Sequence, residues 1–75
     1  MNVPFSLPEE ATMAQVRAMF ESSKVSLQEL GLRMGYPEAT ARQSVWQFIY
    51  KTDDPRLSML KRFAKAMGVS VKDLV

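Results

Sequence analysis

Side chains able to recognise another molecule are concentrated in one run, Glu38-Ala39-Thr40-Ala41-Arg42-Gln43-Ser44-Val45-Trp46-Gln47-Phe48-Ile49-Tyr50-Lys51. An arginine can donate two hydrogen bonds to guanine O6 and N7, and a glutamine amide can pair with adenine N6 and N7. Arg42 and Gln43 supply one of each, and Gln47 lies one helical turn beyond Gln43. The same residues equally suit the solvated face of an ordinary amphipathic helix. Trp46 is the odd member: in helical projection it lies off the apolar stripe, beside Arg42 and Tyr50. An exposed tryptophan points to a contact surface, either for a DNA sugar or thymine methyl or for a protein partner, and the competing reading folds its ring over the edge of the core against helix 4 or the N-terminal arm.

No catalytic constellation accompanies this run. The 75 residues include no cysteine and no histidine. That removes the disulfide staple, the thiol nucleophile, the usual general base near neutral pH and the commonest zinc ligand. Ser/Lys chemistry stays open, but the composition favours a binding module over an enzyme, with no metal and no cofactor. The length suits one small domain spanning 1–75. Met1-Asn2-Val3-Pro4-Phe5-Ser6-Leu7-Pro8 has no basic leading segment and is broken by two prolines, which argues against a secretory signal. No apolar run approaches the ~20 residues needed to span a bilayer. A soluble, reducing, cytoplasmic setting is expected.

The net charge of +2 conceals an asymmetry. Residues 1–30 carry Glu9, Glu10, Glu21 and Glu29 against Arg17 and Lys24, a net of −2. Residues 31–75 carry eight basic side chains against Glu38, Asp53, Asp54 and Asp73, a net of +4. A basic half is compatible with nucleic acid, and equally with a solvated helix face.

Helical spacing of apolar residues runs through nearly the whole chain. Residues 1–7 read as an extended arm. Ser6 and Glu9 have capping-box spacing and Pro8 suits a first turn, predicting a helix over Pro8–Ser22 with Met13, Val16, Met19 and Phe20 as its stripe. Ser26 and Glu29 form a second capping box ahead of Leu27, Leu30 and Met34. Gly31 inside that helix predicts close approach of another helix. Gly35 suits a left-handed stop, and Tyr36-Pro37 continues the turn. A third helix is expected from about Glu38 to Tyr50, with Ala41, Val45, Phe48 and Ile49 on one face and Ala39, Thr40, Gln43, Trp46 and Gln47 on the other. Asp54 as N-cap with Pro55 in the first turn predicts a fourth, with a core stripe of Leu57, Leu60, Phe63, Ala64 and Met67, ended by Gly68. Ser70 with Asp73 opens a short fifth helix at Val71–Leu74.

Two stretches carry a resemblance to a known family: Ser26-Leu27-Gln28-Glu29-Leu30-Gly31-Leu32-Arg33-Met34-Gly35-Tyr36 and Leu57 to Leu74, above all "LKRFAKAMGVSVKDL". Together they resemble the Cro/lambda-repressor (XRE-type) helix-turn-helix family over about residues 10–75. The resemblance implies an all-α, compact five-helix bundle whose third helix enters the DNA major groove, commonly as a dimer on paired half-sites. It implies a prokaryotic or phage-type transcriptional regulator, located with the nucleoid when bound, with no effector domain beyond Val75.

The middle of the chain departs from the family pattern. Carried without a gap from Gly35, the two buried positions of helix 3 fall on Ala41 and Ser44. The base-reading positions then fall on Glu38, Ala39, Thr40, Arg42 and Gln43. Aligned back from Pro55 and Leu57, the buried positions fall on Val45 and Phe48, and the readers become Arg42, Gln43, Ser44, Trp46 and Gln47. Arg42 and Gln43 belong to both sets. Valine and phenylalanine suit a core better than serine, so either an extra N-terminal turn on helix 3 or a longer turn before it is expected. Phosphate contacts are expected from Gln28 and Lys51, with long-range attraction from Lys61, Arg62 and Lys65. Asp53 in the following loop would repel phosphate, while Asp54 is expected to be occupied as a cap. An alternative keeps the fold but makes it a protein-interaction module or antitoxin-like partner, using Trp46, Tyr50 and the apolar arm residues Val3, Phe5 and Leu7.

Overall fold

The computed structural model describes residues 8–74, and the expected arm, with the Ser6 half of the first capping box, lies outside them. Four α-helices follow in order: α1 Pro8–Ser22, α2 Leu27–Arg33, α3 Ala41–Lys51 and α4 Leu57–Met67. The described residues contain no strand. The expected fifth helix is a single 3-10 turn over Val71–Asp73. Its bonds are the tight i to i+3 kind, Asp73 N–H to Ser70 C=O at 2.9 Å and Leu74 N–H to Val71 C=O at 2.8 Å. Tightening there brings Leu74 into the core, where it is fully buried.

Local signals account for most helix ends. The Ser23 hydroxyl donates to the Phe20 carbonyl at 2.7 Å and accepts from Val25 N–H at 3.3 Å, turning the chain out of α1. Ser26 then caps α2 by accepting from Glu29 N–H at 3.0 Å. The other half of that capping box is diverted: the Glu29 carboxylate accepts instead from Arg33 Nε at 3.1 Å, one turn along the same helix. After α2, Gly35 takes φ +96°. Its N–H donates to Leu32 C=O and that of Tyr36 to Gly31 C=O, both at 3.0 Å, so two terminal carbonyls are satisfied. Gly68 closes α4 in the same way at φ +75°.

Two helix starts differ from expectation. Glu38 to Thr40 is a turn, with Thr40 N–H donating to Pro37 C=O at 3.1 Å, so α3 begins at Ala41 rather than near Glu38. There is no extra N-terminal turn; instead residues 34–40 make a long connection. In α4, Asp54 is not the cap. Arg56 holds the cap position with extended backbone, ψ 145°, and its carbonyl accepts from Met59 and Leu60 N–H. Pro55 is a half-buried part of the connection, on a wall shared with Phe48 and Met59, and not a first helical residue. Starting the helix there leaves Leu57, expected in the core stripe, 58% exposed.

The core is contributed by every helix: Met13 and Val16, Leu30 and Met34, Val45, Phe48 and Ile49, and Leu60, Phe63 and Ala64. The rings of Phe48 and Phe63 meet at 6.0 Å, tilted 47°, which ties α3 to α4. Burying side chains of this size contributes about 1.5–3 kcal/mol each, the main force holding four short helices together. No helix of the described residues is long and apolar enough to cross a membrane.

Candidate nucleic-acid interface

Alternation along α3 gives it a dry side and a wet side. Ala41, Val45 and Ile49 are fully buried and Phe48 nearly so, as the apolar spacing predicts. Arg42, Gln43, Trp46, Gln47 and Lys51 are exposed, and Ser44 is half-buried at the boundary. Val45 and Phe48, the buried pair expected of a lengthened connection, are both inside.

The start of α3 is held by α2. A Cβ built on Gly31 would collide with the Ala41 carbonyl oxygen and lie 2.7 Å from both the carbonyl carbon and Cβ of Ala41. Only a glycine lets the two helix backbones meet so closely. Gln28 adds a second tie, its amide donating to the Glu38 carbonyl at 3.2 Å. The residue expected to face phosphate is thus half-buried and engaged within the chain. Thr40, at the cap position of α3, is exposed and makes no capping bond through its hydroxyl.

The far end of α3 is held by α1. Arg17 Nε donates to the Ile49 carbonyl at 2.8 Å, satisfying one of the last-turn acceptors and placing a cation at the negative end of the helix. The Tyr50 hydroxyl donates to the Glu21 carboxylate at 2.8 Å. That bond, helped by partial burial and the Glu21 charge, raises the Tyr50 pKa above its ordinary value, against a smaller opposing pull from Arg17. Arg33 does for α4 what Arg17 does for α3, donating to the Ala66 carbonyl at 3.3 Å. Two of the chain's arginines therefore serve helix ends.

The outward side chains of α3 fall into two groups. Arg42, Gln43 and Trp46 line a shallow groove together with Leu27 of α2 and Ala39. On the other flank, Ser44 and Gln47 share an open cavity of about 370 Å³ with Tyr36, Thr52 and Arg56. Lys51 ends α3, with its ammonium 5.5 Å from the centre of the Trp46 ring. It is therefore associated with the outward face of α3 and not with a loop beyond it. Counting the fourth helix from Asp54 predicts Arg56 inside its first turn. Its extended backbone puts it in the connection beside Ser44 and Gln47. Asp53 and Asp54 are both exposed.

The described residues hold no group of three His, Cys, Asp or Glu side chains suited to a metal ion. Comparison with protein-family models, with curated proteins and with solved structures finds no match for this chain.

Proposed function

We propose that this chain is a sequence-specific regulator that binds double-stranded DNA, a helix-turn-helix domain of Cro/lambda-repressor type that lays the outward face of α3 in the major groove. One observation carries the reading. The side chains of Arg42, Gln43 and Gln47 are exposed on α3 and make no hydrogen bond to any described residue, the one bond at Gln47 besides the helix ladder being its carbonyl with the Thr52 hydroxyl, while both ends of the helix are anchored. Uncommitted donors on a positioned helix are what base-edge recognition requires. Arg42 is assigned to guanine, and Gln43 and Gln47 to adenine. Thr40 and Ser44 are hydroxyl contacts at the margins. Gln28 acts through the turn that it braces, and Lys51 and Arg56 supply phosphate contacts.

With so few cations near the face, one copy has a shallow salt dependence, with a log–log slope of about −2 for two phosphates. Useful specificity then calls for a homodimer on paired half-sites. A second reading, a protein-interaction module on the same helices, is favoured by the exposure of Asp53 and Asp54 next to the end of α3, where they oppose phosphate.

Titration of labelled duplex DNA at two salt concentrations separates the two readings. Binding that weakens as salt rises, with Arg42→Ala and Gln43→Ala each losing discrimination between preferred and random duplexes by about 1–3 kcal/mol, supports the regulator. Affinity indifferent to salt overturns it.

A further inference from the structure

The groove lined by Arg42 and Gln43 also has apolar lining residues that hydrogen-bonding recognition does not use. Its apolar lining is Leu27, half-buried at the start of α2, Ala39, and Trp46, 40% exposed. Trp46 is not a loose ring. The Tyr50 ring lies 6.1 Å away, tilted 43°, and Lys51 places its ammonium over the indole. Tyr50 is in turn bonded to Glu21 of α1. The indole therefore has neighbours that brace it while it remains partly exposed and lines the groove.

Cationic charge stands beside the groove. Arg42 lines it and Lys51 stands over Trp46, and neither pairs with a carboxylate among the described residues, where the one ion pair is Arg33 with Glu29. Cations beside an apolar lining suit a polyanion that also presents small apolar groups. In the major groove the one such group is the thymine 5-methyl.

Resting on the DNA-binding reading, we propose that Leu27, Ala39 and Trp46 seat a thymine 5-methyl group, and that Trp46 is a specificity-determining residue. The preference falls on a base pair adjoining the one read by Gln43, because Gln43 lines the same groove. Gln43 takes the adenine edge while the indole face takes the methyl. Together they select for A·T pairs at a step where Arg42 selects for guanine nearby.

The test uses duplexes recovered by selection from a random-sequence pool, resynthesised with deoxyuridine replacing one thymidine at a time. Uracil differs from thymine only by the methyl, and pairing is unchanged. Loss of one buried methyl should weaken binding about three- to fivefold at one position per half-site, with the others unaffected. Trp46→Ala should bind the parent duplex more weakly and erase the difference between thymine and uracil. Trp46→Phe, keeping an apolar ring, should retain part of it. Trp46 is outside the core, and a thermal melt of each variant verifies that folding is intact.

If no duplex shows salt-sensitive binding, the DNA reading itself fails. If binding is salt-sensitive but no uracil substitution matters, or if the effect survives in Trp46→Ala, this assignment fails while the DNA reading stands. If Trp46→Ala instead changes self-association by sedimentation and leaves the uracil effect intact, the groove is a protein contact and the assignment is overturned.

Discussion

Replacing Gly31 with alanine sets two effects of opposite sign against each other. Alanine is the better helix former by up to ~1 kcal/mol, and position 31 is inside α2. The new methyl, however, would meet the Ala41 carbonyl group head-on and lie 2.7 Å from two further atoms, where ordinary contact begins at 3.4 Å. The helices must therefore separate by at least about 0.7 Å. The main obstacle is backbone, which cannot swing aside as the end of a flexible side chain would. Overpacking costs about 1–3 kcal/mol, and a rigid obstacle places this case at the upper end. The net expectation is a loss of about 2 kcal/mol. In a domain of this size that lowers the melting midpoint by roughly 8–16 °C.

Thermal denaturation followed by circular dichroism measures this effect, and urea titration should give the same free-energy change with an unaltered m-value. Gly35→Ala is the matched control. Nothing lies within 4 Å of its added Cβ, so only the left-handed backbone opposes it, at a cost of about 1–2 kcal/mol. A Gly31→Ala protein melting at or above the parent temperature would refute the backbone contact between α2 and α3. The presentation of α3 built on that contact would fall with it.

Three further outcomes are expected. Lys51→Ala and Arg56→Ala should each weaken binding to all duplexes about equally and flatten the salt slope by about 1, measured by fluorescence titration across salt concentrations. A change confined to one sequence would mean base contact instead. Arg17→Met keeps the aliphatic stem but removes the donor to the Ile49 carbonyl, and should cost about 1–2 kcal/mol by urea denaturation. In a Tyr36→Phe background, phenolate absorbance should show Tyr50 ionising above its usual value near 10, and Glu21→Gln should bring it back down. The sign follows from the neutral hydroxyl being the favoured form. Its contribution to stability is complete below the unfolded value and is lost as pH rises through the elevated one.

The helices themselves were legible because their information is local. Apolar spacing placed Val16, Leu30, Val45, Ile49 and Phe63 inside, and all are fully buried. Pro8, Ser26, Gly35 and Gly68 marked ends that involve only a few neighbouring residues. Gly31 signalled a close helix approach, since a glycine inside a helix has a cost that some contact must offset.

What local reading missed has no local cause. Thr40 and Arg56 cap their helices without a side-chain bond, so neither start is fixed by a local capping interaction. Where α3 begins is settled by its contact with Gly31 and by Gln28 on the Glu38 carbonyl. Sequence also cannot say which polar side chains are already engaged. The Gln28 amide braces a turn, and Arg56, expected inside a helix, stands beside Ser44 and Gln47. Arg17 reaches a carbonyl 32 residues away and Tyr50 a carboxylate 29 residues away. By itself the sequence determined which segments wind into helices and which sides of them are dry. Only the tertiary structure decided which donors remained free, because a hydrogen-bond partner is defined by proximity in space and periodicity describes one helix at a time.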